Sequence, residues 1–227
     1  MYGPPGTGKS MIAQATAHEI NAKFFSLRCS ELVSRFFGGT EQNLKALFDT
    51  ARKEKNAVIF FDEFDSLAVS RDKNHSTVMK RVVTELLAQM QGIHESKDSC
   101  LLVLAATNKP WMMDSAFMRP GRFDDCIYVG LPDDEAREGI LRKSLKGVPV
   151  GDDIDLKQVV SMTNGFNAAD VVELVEKAKN YPYRRELQTG NCHVVTMDDF
   201  NEALKICHSS VDRNDIEKLM KWKNDRG

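Results

Sequence analysis

Eight consecutive residues near the start, Gly3-Pro4-Pro5-Gly6-Thr7-Gly8-Lys9-Ser10, constrain this chain more than any other segment. They fill every fixed position of G-x-x-x-x-G-K-[ST], the pattern of a phosphate-binding loop. Its glycines let the backbone curl so that successive N–H groups converge on one anion. A helix predicted from about Lys9 to Glu19 directs its positive end at the same point. Lys9 is placed to reach the β- and γ-phosphates, and the Ser10 hydroxyl suits Mg²⁺. Met11, next along the helix, is counted with the loop as a nucleotide contact. Such a loop joins a strand to a helix in a parallel α/β sheet.

The remainder of a phosphate chemistry follows downstream. Val58-Ile59-Phe60-Phe61-Asp62-Glu63 reads as a buried strand ending in two carboxylates. Successive strand side chains point opposite ways, so the two serve different purposes. Asp62 suits the metal, directly or through water, and Glu63 suits polarising the attacking water. Leu101-Leu102-Val103-Leu104 is a second apolar run, and Ala105-Ala106-Thr107-Asn108 ends it in an amide. Asn108 is a candidate to hold that water beside Glu63, although Asn108-Lys109-Pro110 also reads as a simple turn.

From Met1 to about Leu131, apolar strand-like runs alternate with helical stretches such as Val78 to Met90, which implies a parallel α/β sheet. After Leu131-Pro132-Asp133 the pattern is helical only. Glu135–Leu145 places Ile140, Leu141 and Leu145 on one face. Asn167 with Asp170, Thr196 with Asp199, and Asp212 with Asp215 are helix-start signals. The expected organisation is a large α/β domain over 1–131 and a small all-α lid over 132–227.

With 31 basic and 33 acidic residues the net charge is −2, which gives no field for nucleic acid and no polybasic surface for a membrane. The first residues do not form a signal peptide, and no apolar run reaches the roughly 20 residues that span a bilayer. Five scattered cysteines suit a reducing compartment. Cys192-His193 and Cys207-His208 lack the CxxC spacing of a zinc site.

At Asp114-Ser115-Ala116-Phe117-Met118-Arg119-Pro120-Gly121-Arg122-Phe123-Asp124 the chain resembles the AAA ATPases, in the family's second region of homology. The phosphate loop, acidic strand end, Asn108 strand and this segment stand in the family's order, over essentially the whole chain. The resemblance implies a P-loop NTPase sheet with helices on both faces, followed by the lid. It implies that Asn108 is the sensor, and that Arg119 and Arg122 are arginine fingers reaching the γ-phosphate of a neighbouring subunit. It likens Arg35-Phe36-Phe37-Gly38 to a pore loop in which Phe36 grips an extended polypeptide, although Gly39 stands where the family usually has Glu. Gly165-Phe166-Asn167-Ala168-Ala169-Asp170 resembles the family's lid motif, which implies that small Ala168 and Ala169 let the adenine approach the backbone.

ATP and Mg²⁺ are the implied cofactors. The implied partners are further copies of the chain, expected as a hexamer, and a protein substrate in the pore; no nucleic acid and no membrane insertion are expected, and the expected location is cytoplasmic. Glu85–Gly92 and the ending through Trp222 resemble the branch of katanin, spastin and the ESCRT-disassembling ATPase. Pro120-Gly121 follows the broader family pattern, and a bacterial or archaeal relative fits both facts. Two other readings are a nucleotide-binding interaction module with little turnover and a DNA-dependent AAA+ motor. Only Met1 and Tyr2 precede Gly3, too few for the strand that normally enters the loop. The expectation is therefore of a fragment or an unusual start, weakly active or inactive alone.

Overall fold

The computed structural model describes residues 1–34, 39–68, 77–91, 99–191 and 193–225. Its elements in chain order begin with α1 (Lys9–Glu19), β1 (Lys23–Arg28), α2 (Cys29–Ser34), α3 (Thr40–Ala51), β2 (Asn56–Asp62), α4 (Asp65–Ala68), α5 (Thr77–Gln91) and β3 (Cys100–Ala105). Short 3-10 turns at Pro110–Met112 and Ser115–Met118 lead to α6 (Asp134–Ser144), α7 (Leu156–Met162), α8 (Ala168–Thr189), α9 (Met197–Ile206) and α10 (Arg213–Asn224). The contacts divide the chain into two compact units. One holds Met1–Gly3, Lys9–Val129 and Leu219–Gly227; the other holds Pro4–Gly8 and Gly130–Lys218.

In the first unit β1, β2 and β3 form a parallel sheet in that order. Strand β2 is central and covered on both faces. Ala57, Ile59 and Phe61 pack with Leu44 and Phe48 of α3 and Leu86 of α5. Phe60, on the opposite face, packs with Ala13 of α1 and with Ala106. A strand covered twice needs apolar residues at consecutive positions, hence the unbroken run Val58–Phe61. β1 carries Lys23 and Arg28 at its ends and is half-exposed, so it gives a weaker sequence signal.

Before the phosphate loop, Met1 to Gly3 pair with the end of β3, with Tyr2 as the bridged residue. Tyr2 bridges in parallel to Thr107 on one side and Tyr128 on the other. The Tyr2 N–H donates to the Ile127 carbonyl at 2.9 Å, and the Val129 N–H donates to the Tyr2 carbonyl at 2.8 Å. Beside Met1 lies a cavity of about 430 Å³ lined by Leu101, Val103, Ala105, Phe123 and Ile127.

The second unit is helical, with a core built from Leu141 of α6, Val159 of α7, Leu174 and Val175 of α8, and Phe200 and Ala203 of α9. Its helices start where side chains satisfy the first free N–H groups. Asp133 and Asp155 accept from the first turns of α6 and α7, and Asn167 and Asp170 make both halves of a capping box at α8. Among the described residues, no helix is long and apolar enough to cross a membrane. Cys29, Cys100, Cys126 and Cys207 are free thiols; Cys192, half of one Cys-His pair, lies outside the described residues.

Asp199 ties the second unit together. Its carboxylate accepts from Arg185 Nη1 at 2.5 Å and Nη2 at 2.8 Å, and from the Thr196 N–H at 2.9 Å. Burial alone would raise its pKa, but Arg185 and Thr196 overcome that and hold it below the usual carboxylate value. Asp199→Asn is expected to cost about 2–3 kcal/mol at neutral pH, less than a fully buried pair would, because Arg185 is partly exposed. A depressed carboxylate contributes stability above its unfolded pKa and loses it as pH falls through the folded value. The difference between variant and native melting temperatures should therefore shrink below about pH 4. A gap independent of pH would show that the charge is not what stabilises.

Candidate nucleotide site

Backbone geometry along the phosphate loop is that of a left-handed curl. Gly3, Gly6 and Gly8 have φ of 153°, 71° and 84°. Two of these positions also admit no side chain. A Cβ at Gly3 would run into the Val129 carbonyl, and one at Gly6 would lie 2.6 Å from the Asn167 amide. In the second unit the Ala169 N–H donates to the Gly6 carbonyl at 3.1 Å. The segment named for adenine thus meets the loop itself: Asn167 caps α8 and abuts Gly6, Ala168 is half-buried, and Ala169 holds the loop backbone. Ser210 adds to this from a distance in sequence, accepting from the Asn167 amide at 3.0 Å.

In the first unit the charged groups converge. Lys9 is 8% exposed, and its Nζ donates to the Gly3 carbonyl at 3.0 Å. Burial brings its ammonium down to about 8, partly opposed by Asp62 and Asp65. A phosphate would supply the counter-charge that burial withholds. Ser10 Oγ donates to Asp62 Oδ2 at 2.8 Å, which puts two hard oxygen donors from α1 and the end of β2 side by side.

Glu63 follows at φ 52°, in the left-handed region where a non-glycine residue costs about 1–3 kcal/mol. Strain of that kind concentrates at functional positions. Its N–H donates to Asp62 Oδ1 at 2.9 Å. Its own carboxylate points elsewhere, accepting from Ser30 Oγ at 2.6 Å. The two neighbouring carboxylates therefore have separate surroundings, because β2 ends at Asp62 and the left-handed turn at Glu63 sends its side chain to Ser30. Ser30 was not a residue that sequence reading singled out.

Asn108 stands after β3, past Thr107, whose hydroxyl donates to Asp65 Oδ1 at 2.8 Å. The Asn108 Oδ1 is buried and has no hydrogen-bond partner among the described residues. An orphaned buried acceptor is costly and calls for a donor such as water.

The two arginines are not equivalent. Arg119 is exposed, and no ion pair engages it among the described residues. Arg122 is half-buried, and its Nη1 donates to the Ala116 carbonyl at 2.5 Å, so it also braces its own loop. Arg35, Phe36, Phe37 and Gly38 lie outside the described residues.

Comparison with known proteins agrees with this geometry. Residues 1–131 match the ATPase family associated with various cellular activities (AAA), residues 153–202 the AAA+ lid domain, and residues 192–227 the Vps4 C terminal oligomerisation domain. The chain is 38% identical over 238 residues to the Cell division cycle protein 48 homolog of Archaeoglobus fulgidus, covering 99% of this chain and 32% of that protein. It thus spans about a third of that relative's length. The crystal structure of the FIGL-1 AAA domain in complex with ADP superposes with a TM-score of 0.86 at 35% identity, over all of this chain and 77% of that one. The FIGL-1 AAA domain in a second crystal structure gives 0.88 at 34% identity, over all of this chain and 76% of that one. The C-terminal match agrees with the katanin, spastin and ESCRT-disassembling branch. A parallel sheet ending in the Ser10–Asp62 pair, a capped helical unit that holds the loop, and these matches lead to one statement: the chain belongs to the AAA family of ATPases.

Proposed function

We propose that this chain hydrolyses ATP as one subunit of a homo-oligomeric ring that remodels or threads protein substrates. The observation that carries the hydrolytic part is the pairing of Ser10 Oγ with Asp62 Oδ2 at 2.8 Å, with Glu63 next in the chain and Lys9 buried in the same unit. Ser10 and Asp62 would hold Mg²⁺, which supplies positive charge against the phosphates when bound. Lys9 binds the phosphates with backbone N–H groups of the loop past Pro4 and Pro5, and Ser10 with Asp62 fixes their orientation. Glu63, once released from Ser30, takes up a water proton, and Asn108 Oδ1 accepts the other hydrogen to aim the oxygen. A similar domain crystallised in complex with ADP supports an adenine nucleotide as the ligand.

The Vps4 C terminal oligomerisation domain at 192–227 supports self-association. The hexameric state, the reach of Arg119 and Arg122 into a neighbour, and the gripping of an extended polypeptide by Phe36 are further parts of the reading. Specific ATPase activity should rise with protein concentration as rings assemble. Phe36→Ala should still bind ATP and assemble, but lose stimulation of turnover by an unfolded protein and lose unfolding of a tagged substrate. Stimulation equal to that of the unaltered chain would remove Phe36 from the pore, and a concentration-independent rate would remove the ring.

A further inference from the structure

Helix α10, at the end of the matched oligomerisation domain, meets the first residues of the chain. It places Leu219 and Trp222 on one face at a spacing of three, and Leu219 is buried. The Trp222 ring meets the Tyr2 ring edge-on at 4.5 Å between centroids. Tyr2 is 5% exposed and meets Tyr128 on another side at 5.4 Å. Lys223, the next residue of α10, sits 5.0 Å over the Tyr128 ring. Two consecutive residues of α10 therefore hold two aromatic rings that flank one strand position.

That position is the anchor of the phosphate loop. Tyr2 is bridged on both sides, and Gly3 donates its N–H to the Thr107 carbonyl at 3.3 Å. The Gly3 carbonyl in turn receives Lys9 Nζ at 3.0 Å. A loop rich in glycine has no rigidity of its own, so its conformation depends on what holds its ends. Here Met1, Tyr2 and Gly3 hold the entering end through hydrogen bonds to Ala105, Thr107, Ile127 and Val129, and Tyr2 is the residue of the three that Trp222 touches, beside a small cavity of about 30 Å³ into which the Tyr2 ring can shift once Trp222 is gone.

We propose that Trp222 is a positioning residue for nucleotide binding: by clamping Tyr2 it fixes Gly3 and the start of the phosphate loop, so that docking of α10 raises affinity for the nucleotide. This rests on the reading of Gly3–Ser10 as the phosphate site. Linkage is reciprocal, so nucleotide also tightens the α10 contact.

The test is made at protein concentrations where light scattering shows monomer, so that assembly does not enter. Trp222→Ala should weaken MgADP binding about three- to tenfold at 25 °C, the range expected for loss of one aromatic pair. Trp222→Phe, which keeps an aromatic edge against Tyr2, should restore most of it. In a Trp111→Phe background, Trp222 fluorescence should change on saturation with MgADP, and the added change Lys9→Ala should abolish that response. Trp222→Ala that is folded and binds MgADP with unaltered affinity overturns the proposal. If Trp222→Ala does not fold, the fluorescence titration decides, and a Trp222 signal indifferent to saturating nucleotide overturns it. If the unaltered chain binds no MgADP at all, the site reading fails and the clamp with it.

Discussion

Glu63→Gln should leave ATP bound and all but stop its hydrolysis. Glu63 is the carboxylate that does not face the Ser10–Asp62 pair; it faces Ser30 instead, across the 2.6 Å hydrogen bond. The amide that replaces it keeps size and polarity but cannot take a proton from water. A positioned general base contributes roughly 10²–10⁴ in rate, and a loss of that size is expected in steady-state phosphate release. Affinity for ATP should hold, because the proposed phosphate contacts are Lys9, Ser10 and the loop, not Glu63. Lys9→Ala should behave in the opposite sense, weakening binding itself, since the ammonium neutralises phosphate charge in the bound ground state. Equilibrium binding of a fluorescent ATP analogue and phosphate release, measured on both variants, check this. Parallel loss of affinity and turnover in Glu63→Gln would overturn the role given to Glu63.

Arg119→Ala should lower turnover by about 10³ or more while leaving its own subunit able to bind ATP, because an arginine finger supplies charge to the transition state. Arg119 is exposed, and no ion pair engages it among the described residues, which leaves it available to a neighbouring copy. Arg122 also supports its own loop through Ala116, so Arg122→Ala should lose stability as well as rate. Mixing Arg119→Ala with Glu63→Gln tests the intersubunit role. In a mixed ring, an intact Glu63 from one variant meets an intact Arg119 from the other, and activity should reappear at those interfaces. No recovery at any ratio would place the arginine's action within its own subunit.

Some of this was written in local sequence. Eight residues in order name the phosphate loop, because its chemistry is made of backbone and of residues adjacent in the chain. Strand β2 is visible because a doubly covered strand must be apolar at every position, and its acidic end follows from where it stops. The starts of α8 and α9 are legible because capping is satisfied within four residues. β1 did not declare itself, since its ends Lys23 and Arg28 and its middle Ser26 are exposed and its apolar residues are only half-buried. Other features needed the folded chain. Ser30 meets Glu63 across 33 positions because β1 and β2 pair in parallel and end together. Gly6 meets Asn167, and Tyr2 meets Trp222, through contacts whose partners lie far apart in the chain. No periodicity or spacing encodes such pairs; they exist only once packing has fixed which elements are neighbours. So the sequence determined what chemistry the chain can carry, and the tertiary structure decided which residues hold that chemistry in place.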